Sequence, residues 1–499
     1  MVLMNVAVIG AGPVGILFAK LCLDNGHQVT LIESGNLHEE SKLLSKKNYV
    51  FKSPSSMPSG VHKIGGGSTL WRARISEFQD SDFLKTGSGG IGLWPFNKDA
   101  LEIHYAKLYK LLGVGEFKDL AAIARYFPNA MNQLPKNFEL RVFRFCNPDF
   151  FIRLFEEIRN HEKLKVLEGH LCKSILKTDD EKKLIVELLE KNFNLEYLDF
   201  QAVVITCGTL QSTAILQRSK ELVGENSIRL LGKYLMEHLE GFIGNVMILN
   251  KRNQEYFSSF ALDSNNRAVN SFYGMGIALA LKKNSSKDRL NVHFELRNPM
   301  PYFHIPILFK KYESLNNAFI HTLVRLSIYL ERVISFALRH LRDYLFKIFQ
   351  ISYFGIYIKS EEIAFEESEV YMPDIDENIL FYNHKVSTLT YQKLHDAISE
   401  FQREIYLNFK TKIRLYKKAK SLSGLKLLFG ANWHPMGTTR MGVDPKNSVV
   451  DENLALHGAP NCYVLSASVF PTGSNSNPTF TTLALASRLS ETDFFSKSK

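Results

Sequence analysis

The sequence predicts an α+β fold, and three observations carry that prediction. The first is a strand–glycine loop–helix–strand unit at the N-terminus. Asn5 to Gly10 is a short apolar run that fits a buried strand, Ile16 to Leu23 reads as helix with Asn25-Gly26 as its stop, and Gln28 to Glu33 is a second strand ending in an acid. The second is Ala202 to Gly208, another buried strand ending in glycine, which feeds a helix over Leu210 to Gln217. The third is the C-terminal stretch. There His434 sits beside a Gly/Thr-rich turn, and Asn477-Pro478-Thr479 opens an apolar, Ala-rich helix.

The loop of the first unit is Gly10-Ala-Gly12-Pro-Val-Gly15. Gly10 makes the tight turn, Gly12 lets backbone N–H groups approach a pyrophosphate, and Gly15 allows close helix–strand packing. The following helix N-terminus favours an anion. Glu33 is placed to accept hydrogen bonds from an adenosine ribose. A lone glycine triad is equally a plain tight turn, but here strand, loop, helix, strand and acid all agree on a dinucleotide. A second cluster, Gly65-Gly66-Gly67-Ser68, suits backbone wrapped round a flat or phosphorylated ligand. Taken alone, it reads as well as a flexible loop.

Other elements follow in order. A helix runs through Leu101, Tyr105 and Leu112 to Gly113, and another spans Phe150 to Glu157. Lys165 to Gly169 and Leu184 to Leu188 read as strands. Leu315 to Phe354 has helical periodicity and a broad apolar face, with Arg325, Arg332, Arg339, Arg342 and Lys347 opposite. Such a helix packs over a neighbouring domain or at a dimer contact. Alternatively it lies in a membrane interface, which would suit a lipid-linked substrate and a peripheral place at the inner face of the membrane.

At 499 residues the chain can bury large cores and hold two or three domains. A net charge of +10 points to an anionic partner or to a lysine-rich proteome. The lysines are scattered except between Lys410 and Lys420, which reads as one solvated helix face. No nucleic-acid motif accompanies them, so no nucleic-acid partner is expected. Cys22, Cys146, Cys172, Cys207 and Cys462 are odd in number and far apart, with no metal spacing. Reduced thiols, no metal and a cytoplasmic location are the expectation. The apolar N-terminus lacks a basic flank and is interrupted by Gly10 to Gly15, unlike a signal peptide. No uninterrupted apolar stretch is long enough to span a bilayer.

Taken together and in order, these segments resemble the glucose–methanol–choline oxidoreductase family. The resemblance covers the fingerprint with Glu33, the Gly65 to Ser68 loop, and Trp94-Pro-Phe followed by Leu101, Tyr105 and Leu112-Gly-Val114. It continues through Val203 to Gly208 and Leu231 to His238 to the segment from His434. Residues 245–425 match only in general character. The resemblance implies a Rossmann-like FAD-binding domain over 1–245 and 428–499, with a cap-like helical insertion about 95–150. It implies a substrate domain over 246–427, an antiparallel sheet covered by helices. FAD would be held by Gly10, Gly12, Gly15, Glu33, Gly66, Gly67, Ser68, Gly208, Asn477, Pro478 and Thr479. The motif wording is closer to the sugar-oxidising branch, which includes pyranose oxidase and gluconate and fructose dehydrogenases. Leu70 stands where pyranose oxidase-like members carry a His bonded to the flavin, so noncovalent FAD is implied. Ser466 stands where many members have an Asp.

The chemistry explains why one His and one Asn suffice. Alcohol oxidation removes a hydroxyl proton and a carbon-bound hydride, and flavin N5 takes the hydride. An imidazole titrating near neutral pH suits His434 to general-base duty. Asn477 can orient the hydroxyl and stabilise developing alkoxide charge. The structural alternatives are a satisfied His in a turn and a helix cap. His238 is expected to end a helix near the domain junction, without a catalytic role. Arg72 and Arg74 face either the flavin or an anionic substrate, or else solvent. The resemblance implies FAD-dependent oxidation of a hydroxyl on a sugar or sugar-like alcohol. An aliphatic, aryl or sterol alcohol is the alternative within the enzyme class. A non-redox flavoprotein, an isomerase or FAD-stabilised binding scaffold, is the alternative outside it. The motifs leave the electron acceptor open.

Overall fold

A computed structural model describes residues 3–496 except 45–48, 52–59, 84–93, 116–122, 126, 181, 191, 263–274, 282–289, 298–347, 349–350, 374–378 and 432. The basic amphipathic segment 315–350 therefore lies almost wholly outside the described residues. Among the described residues no helix is long and apolar enough to cross a membrane.

The Val/Ile-rich runs pair as parallel strands buried on both faces, as their unbroken hydrophobicity requires. Asn5–Ile9 lies between Gln28–Glu33 and Ala202–Ile205. Leu164–Glu168 extends the sheet on one side and Ala459–Val464 on the other, both parallel. An antiparallel edge, Ala455–Leu456, ends it. The helices Pro13–Asp24 and Pro478–Ser490 pack together on this sheet. Gly15 lets the first of these helices start close against the Gly10 turn and Thr206, because a Cβ there would meet the Gly10 carbonyl oxygen at 1.9 Å. Gly10 itself turns the chain at φ +101°, a left-handed conformation that favours glycine.

The second sheet is nine-stranded and mostly antiparallel. Its main path runs Ile413–Leu415, Leu239–Ile248, Ser352–Ser360, Val292–Arg297, Met275–Leu281, Phe138–Phe145 and Arg74–Ile75. The 22-residue helix Thr388–Phe409 covers one face. Phe401 stacks on Phe294 with centroids 3.6 Å apart and meets Phe138 edge-on at 5.7 Å. Two three-stranded sheets complete the fold.

Several expectations are corrected. The strand Leu239–Ile248 of the second sheet runs unbroken across the expected boundary at 245. The insertion at 95–150 is not all helical. It holds the helix Asp99–Leu111, but Phe138–Phe145 is a strand of the second sheet. The Lys410–Lys420 cluster is not one helix face either. It spans a helix end, the strand Ile413–Leu415 and a short turn at Lys417–Lys420. His238 does not end a helix, since it directly precedes the strand Leu239–Ile248.

Candidate active site

The two glycine turns and the C-terminal segment meet at one cavity of about 450 Å³. Its lining includes Gly10, Gly12, Glu33, Gly66, Gly67, Ser68, Gly208, His434, Pro478 and Thr479. Gly15 is not on the wall; it lies behind, in the helix–strand contact. A Cβ on Gly12, Gly67 or Gly208 would meet nothing within 4 Å, so bare backbone faces open space there. A cradle of this kind fits a pyrophosphate held by backbone N–H groups at the start of the helix Pro13–Asp24. Glu33 is buried, and backbone helps to aim it. Its Oε2 accepts from Ala11 N at 2.9 Å and its Oε1 from Gly35 N at 3.0 Å. Ser68 donates to the Gly65 carbonyl at 2.6 Å, which holds the loop closed on itself. Leu70 is 66% exposed on the cavity wall, and Ser466 lines the wall while bonded to Ser468 at 2.6 Å.

His434 lies half-buried at the junction of the sheets. Its backbone N–H donates to Glu237 Oε2 at 2.7 Å. Its Nδ1 is 3.2 Å from His238 Nδ1. Desolvation, and next the Lys359 ammonium, lower its pKa to about 3. Both effects favour the neutral imidazole, the form that can accept a proton. His238 is driven well down by burial and by the same lysine. Burial raises Glu237 to about 7, against the neighbouring His384 and the His434 N–H.

Asn477 occupies the N-cap position of Pro478–Ser490 but makes no side-chain cap bond. Its Nδ2 donates to the Arg74 carbonyl at 3.2 Å, and its Oδ1 accepts from Lys359 Nζ. Arg72 is exposed. Arg74 faces inward, paired with Glu295 at 2.6 Å and lying 3.6 Å over the Phe143 ring. Glu240 accepts from Tyr357 OH at 2.7 Å and sits 3.3 Å from Lys359 Nζ. Sequence reading missed Glu237, Glu240 and Lys359. Only Glu237, next to His238 in a matched motif, carried any local signal; Glu240 and Lys359 become neighbours only through strand register.

Residues 395–486 match the family model described as GMC oxidoreductase. That GMC segment contains His434 and Asn477. No curated protein matches the chain by sequence. Solved structures share the fold over nearly the whole length. A pyridoxine 4-oxidase from Mesorbium loti aligns at TM-score 0.61 and 15% identity, over 98% of this chain and 99% of that one. A formate oxidase variant from Aspergillus oryzae RIB40 aligns at 0.58 and 14%, over 98% and 97%. A fungal aryl-alcohol oxidase aligns at 0.57 and 12%, over 98% of each chain. These likenesses establish the fold: a Rossmann-like domain beside an antiparallel, helix-covered sheet.

Proposed function

We propose that this chain is an FAD-dependent oxidoreductase that oxidises a hydroxyl group of a small molecule. One observation carries the reading. His434 lines the same cavity as both glycine turns and the Pro478-Thr479 helix start, so a proton acceptor stands at the end of a nucleotide cradle. Gly12, Gly67 and Gly208 would hold the FAD phosphates and ring by backbone approach, with Gly10, Gly66, Ser68, Pro478 and Thr479 completing the wall and Glu33 near the ribose. Bound FAD supplies the hydride acceptor. The protein supplies the rest. His434 takes the hydroxyl proton, its backbone fixed by Glu237 and its ring by His238. Asn477, anchored at both ends of its amide, orients the hydroxyl oxygen.

Leu70 offers the flavin no nucleophile, which supports noncovalent binding. Five free cysteines support a cytoplasmic location. Within the alcohols we favour a sugar-like, hydroxyl-rich substrate. The support is the motif wording of the segment from His434 to Thr479. A second reading, a planar ring alcohol, is favoured by Trp71 and the half-exposed Trp433 on the cavity wall. The shared fold of a pyridoxine oxidase and an aryl-alcohol oxidase agrees with it.

The test is anaerobic. Purified yellow protein is mixed with D-glucose, D-gluconate, benzyl alcohol or pyridoxine, and the flavin band is followed. Bleaching by one of them is expected. A flavin that stays oxidised with all four, at millimolar concentration, sinks the redox reading and favours a scaffold or isomerase.

A further inference from the structure

We infer that Lys359 is a positioning residue of this site: it fixes the orientation of the Asn477 amide and keeps a positive charge behind His434. The inference rests on the proposed alcohol oxidation. Lys359 lies in the central strand Ser352–Ser360 of the second sheet, in register with Glu240 on one side and His293 on the other. It is 4% exposed. Burial lowers the Lys359 pKa, Glu240 and Glu295 oppose that, and the ammonium form they favour only donates. The Asn477 atom that meets it must therefore be the oxygen, and the amide nitrogen is forced to the other side. There one of its two hydrogens goes to the Arg74 carbonyl. The second hydrogen is the one a substrate oxygen would take, Asn477 standing directly before Pro478 and Thr479 of the cavity wall. Without Lys359 nothing in this pairing stops the amide turning over, which would present a carbonyl oxygen to a developing alkoxide.

The neighbours argue that the lysine is more than an ion-pair partner. Glu240 already accepts from Tyr357, and Glu295 is already paired with both Arg74 and Arg297. The charged and titratable groups facing this centre are Glu237, His238 and Glu240 from one segment, Arg74 from another, His293, Glu295 and Arg297 from the neighbouring strand Val292–Arg297, and Tyr357 from the lysine's own strand. In that company Lys359 is the side chain that bonds the Asn477 oxygen and, after burial, the largest depressor of the His434 imidazole; Arg74 reaches Asn477 only through its backbone carbonyl and depresses His434 less.

The experiment uses flavin-loaded protein. Lys359→Met is made alone and together with Glu240→Gln, the pair leaving no unpaired buried charge should the single variant fail to fold. Asn477→Ala is made in each background. Anaerobic flavin reduction is measured with D-glucose and benzyl alcohol, and the His434 imidazole is titrated by NMR on ¹³C-histidine protein. We expect flavin content to hold and reduction to slow about a hundred-fold, the size of a loss of alignment. Adding Asn477→Ala should cost little more, because both changes remove the same aligned amide. The His434 titration should move up by about one unit or more in Lys359→Met. Lys359→Arg, still a pure donor, should recover most of the rate. Wild-type reduction rates in both lysine variants would overturn the inference, as would losses at Lys359 and Asn477 that multiply, or an unmoved His434 titration. If neither alcohol reduces wild-type flavin, D-gluconate and pyridoxine follow; failure of all four fells the oxidation reading, and the NMR shift alone then decides whether Lys359 acts on His434.

Discussion

The depressed pKa of His434 makes a quantitative prediction about the pH dependence of flavin reduction. An imidazole of ordinary pKa 6.5 is only about 3% neutral at pH 5, so a rate that needs the neutral base would fall roughly thirty-fold between pH 8 and pH 5. His434, held at about 3 by desolvation and by Lys359, stays about 99% neutral at pH 5. The rate constant for reduction, measured by anaerobic stopped flow at saturating alcohol, should therefore be nearly flat over pH 5 to 8. His434→Ala should lower the plateau about a hundred- to ten-thousand-fold, or roughly 3–5 kcal/mol of barrier, while leaving flavin bound. The loss should ease at high pH, where substrate alkoxide replaces the base. An acid limb with a midpoint near 6.5, present in wild type and absent from His434→Ala, would refute the argument. It would mean that the site is wet and that the lysine charge is screened from the ring.

Further predictions rest on other parts of the molecule. Gly15→Ala puts a methyl against the Gly10 carbonyl at 1.9 Å, so thermal unfolding should show a loss of about 1–3 kcal/mol or more, with flavin content falling alongside. Phe294→Ala removes the ring stacked on Phe401 between sheet and helix; denaturant unfolding should report about 3–5 kcal/mol. Trichloroacetic acid should release all the flavin into the supernatant, and colour retained on the pellet would end the noncovalent reading. His434, His293 and His62 are all lowered, to about 3, 4 and 4. Below the unfolded value of about 6.5 the unfolded chain takes up protons that the fold refuses, so each should cost about 2 kcal/mol at pH 5 relative to pH 7.5. An unfolding temperature unchanged between those two pH values would contradict this.

Local pattern sufficed where one segment carries its own reason. The glycine spacing at Gly10, Gly12 and Gly15 and the burial of Gln28–Glu33 were legible because turn, packing and anion cradle are encoded in one continuous segment, and Ala202–Ile205 was legible from its own unbroken apolar run. The second sheet was not. Val292–Arg297 and Ser352–Ser360 contain His293, Glu295, Arg297, Tyr357 and Lys359, so their alternation mixes charges into the face that a sequence reader expects to be apolar. Those charges are buried because Glu295 pairs with His293 and Arg297 along its own strand and Glu240 with Lys359 and Tyr357 across strands, and the second kind of pairing depends on register, which is not visible along the chain. His238 failed for the same reason. Its partner lies almost two hundred residues away, and its neighbours in sequence resemble a helix end.

The parallel sheet has a consequence for how the protein is made. Ala459–Val464 pairs with Ala202–Ile205, and Pro478–Ser490 packs on Pro13–Asp24. The inner strands leave the ribosome first and wait for their outer neighbour through roughly 250 residues of further synthesis. At about 5–20 residues per second that wait is on the order of tens of seconds. During it Val203, Val204 and Ile205 present an open, fully apolar strand edge, the kind of surface on which nascent chains aggregate or recruit chaperones. Yield of native protein should accordingly depend on translation speed and chaperone supply more than on the stability of the finished fold.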